Sequence, residues 1–285
     1  MKRTVPCIIA AVLLSLLAAT GCAGNPMSEE AIQRTVEEIV AANLAIETSC
    51  FDMSVNEAIA IQEASEMREV SVSGTGSGTV DYVNQRMHLV TNQTTDIAGV
   101  STDGASTECF VADNWMYISV GAPDTTAKWM KMRMPAGMWQ QQDQVQQQVD
   151  LLKAADEVNY LGTEDVNGVD CYVVEIVPNL ASVRKMMGQM QGQMGGLGGI
   201  DLGGMDLGQM VKQVSMTQYI AIDGYLFMRT DQHMLIEMTP AALGVKAEFE
   251  RLTRDISITM VFSDYNKPAT IQMPQGALAA TQIGA

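Results

Sequence analysis

Four short turn signals, each set between runs in which apolar and polar residues alternate, tie this chain to an antiparallel sheet. Asn167-Gly168 separates Leu161–Val166 from Val169–Val177, and Asp223-Gly224 separates Val214–Ile222 from Tyr225–Thr230. Both dipeptides readily take the positive φ angles of a type I′ turn, whose twist matches that of the strands it joins. Ala112-Asp113-Asn114 divides Cys109-Phe110-Val111 from Trp115–Val120. The apolar parity flips across Asn84-Gln85, between Thr79–Val83 and Arg86–Thr91, as a tight hairpin requires. Hairpins in succession build an antiparallel meander, and with so few helices between the strands parallel βαβ units are excluded.

Helical spacing interrupts this pattern in few places. Ser28 followed by Glu29 and Glu30 reads as an N-cap with acids in the first turn. Ile32, Val36, Ile39 or Val40, and Asn43-Leu44 then recur at helical steps, predicting one amphipathic helix over about 28–45. Met138, Val145, Val149, Leu152 and Ala155 predict a second over about 138–156, with one apolar stripe facing inward. A third begins at Leu180 and dissolves into a Met/Gly/Leu stretch that continues to about Met210. Each glycine costs a helix about 1 kcal/mol relative to alanine, so a flexible loop is expected over about 186–210. Gly74-Thr75-Gly76-Ser77-Gly78 lacks the lysine of a phosphate-binding loop, and Thr79 stands where a further glycine would be needed. It reads as a turn.

Ahead of these elements, Lys2 and Arg3 precede an apolar run from Val5 to Leu17, and Ala18-Ala19-Thr20-Gly21-Cys22 supplies small residues ending in a cysteine. The run falls short of the roughly 20 residues that cross a bilayer. Its ending resembles a bacterial-type lipobox. The expectation is a lipoprotein signal peptide over 1–21, a lipidated tether over 22–28 and a single domain over 29–280. The chain would lie outside the cell membrane, or on an outer membrane where one exists, held by fatty acyl chains of the palmitate kind on the Cys22 sulfur. Two or three chains at ~0.8 kcal/mol per buried CH₂ anchor stably, whereas one exchanges.

Charge narrows the partners. With 17 Lys and Arg against 33 Asp and Glu, the net charge is −16, and loss of Lys2 and Arg3 with the leader takes it to −18. A basic groove is missing, so nucleic acid is not expected, and attachment to anionic lipid has to come from the anchor. His88 and His233 are the two histidines and lie in strand-like runs, so a catalytic base is thinly supplied. No paired-carboxylate, zinc or nucleotide motif stands out, and the chain reads as non-enzymatic and without a cofactor. Cys50, Cys109 and Cys171 remain after Cys7 and Cys22 are set aside. An oxidising compartment predicts one disulfide and one buried thiol among the three, without choosing the pair.

Several loose motifs follow one order in the second half. They are Trp129-Met130-Lys131, Leu151-Leu152, the Gly162 to Gly168 hairpin with Tyr172-Val173-Val174, Asp223-Gly224-Tyr225-Leu226, and Phe262-Ser263-Asp264-Tyr265-Asn266-Lys267-Pro268 running on to Pro274. This order resembles the LolA/LppX/LprG-like lipoproteins over most of residues 30–278. The resemblance implies an α+β fold in which a strongly curved antiparallel sheet, an incomplete β-barrel, holds helices on its concave side beside an apolar cavity. It also implies a hydrophobic ligand such as a lipid or acyl chain, carried for lipid or lipoprotein transport. It names no protein partner.

Three apolar rows are candidates for the cavity lining: Val214, Met216, Ile220 and Ile222; Met234, Ile236 and Met238; and Ile256, Ile258, Met260 and Phe262. The same rows would equally fill a barrel by packing on the helices, since a filled core and a lipid slot share one pattern. The 22 methionines suit either a repacking slot or a lid, with Met186, Met187, Met190 and Met194 as the lid residues. Those four sulfurs could also bind Cu(I), but Gln and Gly fill the segment and no His or Cys stands near, so no metal site is assigned.

Overall fold

A computed structural model describes residues 29–97, 99–121, 128–134, 138–179, 181, 210–243 and 249–283. The leader, Cys22 and its tether, and the Met186, Met187, Met190 and Met194 lid lie outside the described residues.

The period-two alternation becomes twelve strands in one sheet: β1 (Thr48–Glu63), β2 (Glu66–Asp81), β3 (Arg86–Ile97), β4 (Val100–Ala112), β5 (Trp115–Gly121), β6 (Lys128–Arg133), β7 (Ala155–Val166), β8 (Val169–Pro178), β9 (Val211–Ala221), β10 (Phe227–Met238), β11 (Arg251–Ser263) and β12 (Thr281–Gln282). Their order is β12-β6-β5-β4-β3-β2-β1-β11-β10-β9-β8-β7. Every neighbouring pair is antiparallel except the short β12 on β6. The order runs from β12 to β7 without joining them, so the strongly curved sheet is an incomplete barrel, as expected. The fold is α+β.

Two of the four turns form as read. Ala112 faces Trp115 across Asp113 (φ 52°) and Asn114 (φ 64°), and Val166 faces Val169 across Asn167 (φ 53°) and Gly168 (φ 84°). The other two are longer. Asp81 pairs with Arg86, leaving four residues in the connection, and Asp81 caps it by accepting from the Asn84 N–H at 2.9 Å. At the β9–β10 turn the positive φ angles fall on Gly224 (89°) and Tyr225 (57°), one residue later than Asp223-Gly224. The reason sits on a helix. Asn43 Nδ2 donates to the Tyr225 carbonyl at 2.8 Å, and Asn43 Oδ1 accepts from Phe227 N at 3.1 Å.

That helix is α1 (Glu29–Leu44), close to its expected span. Ile39 and Asn43 are buried, whereas Leu44 is 49% exposed, so the inward stripe ends on the asparagine. The second expected helix is two: α2 (Met138–Gln142) and α3 (Gln144–Lys153). Asp143 breaks it, because its Oδ1 takes the Gln146 N–H at 2.9 Å and so starts a new helix as an N-cap. Ala155 belongs to β7 instead of extending the helix. A single turn, α4 (Pro240–Leu243), follows β10.

The glycine run at 74–78 is a further correction: it lies inside β2, not in a turn. A Cβ on Gly78 would come within 2.5 Å of the Phe51 ring, and one on Gly76 within 2.9 Å of Met53 Cγ. Glycine is used here so that side chains of β1 can lie across the neighbouring strand.

The core gathers at the lower end of the concave face, where β1 begins and β11 finishes. Ile39 of α1 and Val145, Val149 and Leu152 of α3 pack there with Phe51, Val80, Met87, Val111, Met216, Ile220, Met260 and Phe262. Tyr265 closes this end by donating its hydroxyl to the Phe227 carbonyl, and Asn266 Oδ1 accepts from Glu47 N at 2.7 Å. On the outer face, a C-terminal turn at Gln275–Ala279 places Ala277 against Phe110, Ala112 and Trp129.

No disulfide forms among the three cysteines: Cys50, Cys109 and Cys171 are all free thiols. They lie on β1, β4 and β8, which are never neighbours in the sheet. With strands ~4.8 Å apart, the nearest two are three spacings away, beyond the ~7 Å a disulfide allows between Cα atoms. Burial pushes the Cys109 thiol up to about 12, so it stays protonated and inert.

Candidate functional site

Cross-strand register sorts the concave side chains into rungs. The lowest of interest runs Gln218–Thr230–Met260–Met53–Gly76 across β9, β10, β11, β1 and β2. Above it come Met216–Gln232–Ile258–Val55–Gly74, then Val214–Met234–Ile256–Glu57–Val72. Next is Ile236–Arg254–Ile59–Val70, and then Met238–Leu252–Ile61–Arg68. Because side chains alternate strictly between faces, every residue named here points to the same side of the sheet.

The three predicted rows therefore share one face, but they divide along its length. Ile220, Met216, Met260 and Phe262 sit in the core cluster with the helices. Val214, Met216, Met234, Ile256 and Ile258 come together around a hollow of about 10 Å³, completed by Ser215, Gln232 and His233. That volume holds about one water molecule. Ile236 is buried above it, Met238 is half-buried at the upper end, and Ile222 lies past the lower end of β9.

Several polar side chains on this face escaped the sequence reading. Gln148 of α3 and Gln218 are both buried, and Gln218 Nε2 donates to the Gln148 carbonyl and to its Oε1, each at 3.2 Å. Gln218 Oε1 and Thr230 Oγ1 are buried without a hydrogen-bond partner among the described residues. Two to three rungs higher, Arg254 Nε donates to Glu57 Oε1 at 2.5 Å, with 12% and 8% of the two side chains exposed. The signal was present in the alternation. Glu57 interrupts Phe51, Met53, Val55, Ile59 and Ile61, and Gln218 stands between Met216 and Ile220.

Both histidines are on the outer face, beside carboxylates: His88 Nε2 lies 2.7 Å from Glu108 and His233 Nε2 2.8 Å from Asp255. Among the described residues no group of three His, Cys, Asp or Glu could hold a metal ion, and no helix is long and apolar enough to cross a membrane.

No curated protein matches the sequence. In fold, the chain is similar to the lipoprotein LppX of Mycobacterium tuberculosis, at 14% identity and a TM-score of 0.42, over 86% of this chain and 100% of that one. It is similar to LprF of Mycobacterium bovis at 14% identity and 0.44, over 88% and 99%. A LolA superfamily protein of Nitrosomonas europaea aligns at 10% identity and 0.19, over 84% and 94%. A family model described as a family of unknown function, DUF6612, matches residues 31–282, and the chain belongs to that family.

Proposed function

We propose that this chain is a membrane-anchored lipoprotein outside the cell membrane, tethered through an acylated Cys22, that binds the acyl part of a lipid on the upper half of its concave face. It performs no catalysis in this reading. The observation that carries it is the run of apolar side chains over four rungs, from Ile258 and Val55 up to Met238, Leu252 and Ile61, interrupted by Gln232, Glu57, Arg254 and Arg68 and standing above the helix-packed core. A 16-carbon chain drawn from a bilayer forfeits on the order of 10 kcal/mol, so its carrier must offer a comparable apolar area. Two methionines, Met234 and Met238, border that surface, and their unbranched side chains repack around guests of varied shape.

The hollow itself is far smaller than an acyl chain, so binding requires the walls to part. This observation favours the second reading, an anchored interaction domain whose barrel is filled by its own side chains. Native mass spectrometry of the full chain, released from host membranes in mild detergent, separates the two. Lipid binding predicts a non-covalent lipid adduct in addition to the mass of the Cys22 acyl groups. A filled barrel predicts the acyl groups alone, and an unmodified Cys22 removes the anchor.

A further inference from the structure

One pair of residues does not belong on an apolar surface. Val55, Ile59, Val72, Ile236, Leu252 and Ile256 frame Glu57 and Arg254 in the sheet register, yet the two carry opposite charges and are almost fully buried. Removing two charges from water costs several kcal/mol per ion, and apolar residues of similar volume in their place are often neutral or stabilising. Stability alone therefore gives little reason for the pair. Position gives one. Glu57 shares its rung with Val214, Met234 and Ile256, three of the residues around the hollow. At the other end of the hollow, one rung below, lie Gln218 Oε1 and Thr230 Oγ1, buried without a hydrogen-bond partner among the described residues. A stretch lined mainly by Val214, Met216, Met234, Ile256 and Ile258, with Gln232 among them, is thus bracketed by polar groups at both ends.

The geometry points to Glu57 and Arg254 as the polar recognition element of the site, taking an uncharged, hydroxyl-bearing head group of a single-chain amphiphile while its acyl chain lies along the hollow. This rests on the lipid-binding reading above. A hydroxyl donates to a carboxylate and accepts from a guanidinium, so it satisfies both members of the pair at once. An anionic head meets the Glu57 carboxylate and a cationic head meets Arg254, and either has to disrupt the 2.5 Å bond between them. A neutral head does not.

The test is native mass spectrometry of the full chain titrated with monoolein, oleate and 1-octadecene, which share a chain length and differ in the head. The intact protein takes monoolein about tenfold more tightly than oleate. Glu57→Gln removes the carboxylate charge beside Arg254 and moves the preference about tenfold toward oleate. The Glu57→Leu/Arg254→Leu double variant, whose thermal unfolding reports that it is folded, keeps octadecene and loses about tenfold for monoolein. An unchanged monoolein-to-oleate ratio in both variants, with octadecene bound, overturns this assignment and leaves the lipid-binding reading standing. A wild-type chain that takes up none of the three overturns both.

Discussion

The lower and upper halves of the concave face are built from the same strands in the same parity, but they are finished differently. Below, Phe51, Val80, Met87, Val111, Ile220 and Phe262 are closed over by Ile39 of α1 and by Val145, Val149 and Leu152 of α3. Above, Met234, Ile236 and Ile256 are buried but Val70, Val72, Ile59 and Ile258 remain only half-buried, Glu57 and Arg254 interrupt the aliphatic rows, and no described side chain of α1 or α3 joins them in a cluster. A sheet face that is largely apolar but helix-packed over part of it separates two jobs: one end supplies stability, the other supplies surface.

The separation is broken most directly by equal cuts into the two halves. Phe262→Ala removes a ring that is 1% exposed inside the helix-packed cluster and is expected to cost about 3–5 kcal/mol. Ile258→Ala, at the half-buried wall of the hollow, is expected to cost about 1 kcal/mol, since neighbouring methionines can collapse on it. Urea unfolding of both variants gives the difference. Equal losses would mean that the upper half is core as well, and the division fails.

The glycines of β2 sharpen the same contrast on one strand. Gly78→Val drives a side chain into the Phe51 ring, 2.5 Å from the first added carbon, and is expected to cost about 2–3 kcal/mol. Gly74→Val meets only the Asn92 carbonyl at 3.3 Å, and valine suits a strand, so its expected effect is within about 1 kcal/mol of zero. Thermal unfolding of the pair checks the order, and a Gly74 variant as damaged as the Gly78 one would place tight packing where the upper half of β2 is only half-buried.

What could be read from the sequence followed local rules. The turns at Asp113-Asn114 and Asn167-Gly168, the strand alternation and the α1 stripe depend on neighbours in sequence, and they came out close to where periodicity put them. The errors arose where a distant group intervened. Tyr225 takes the left-handed conformation in the β9–β10 turn because Asn43, 182 residues earlier, holds its carbonyl. Gly74, Gly76 and Gly78 looked like turn punctuation because nothing local reveals that Met53 must cross Gly76 and Phe51 must cross Gly78. In the site, the apolar rows were legible by parity, whereas the ion pair was not, since Glu57 and Arg254 are 197 residues apart and meet only through β1–β11 pairing.

The smallest expected effect concerns the junction that closes the lower half. Asp143 caps α3 from a half-buried position, and burial, with the Asp150 charge adding to it, raises its carboxyl above the ordinary range against the lowering pull of the Gln146 and Val145 N–H groups. A carboxyl whose folded pKa is raised contributes stability that is fully present below its unfolded pKa of about 3.9 and is lost as the pH rises through the folded value. At neutral pH the ionised group is therefore a cost to the lower half. Asn keeps a cap oxygen without the charge, so Asp143→Asn is expected to gain about 0.5 kcal/mol at pH 7, a small amount because the site is partly screened by water, and to gain nothing below about pH 3.9. Stability curves of the two proteins between pH 3 and 8 should thus converge on the acid side and part on the neutral side. Parallel curves, or a variant that is weaker at pH 7, would show that the cap needs its charge, and that the helix end at Asp143 is held by its dipole more than it is penalised by burial.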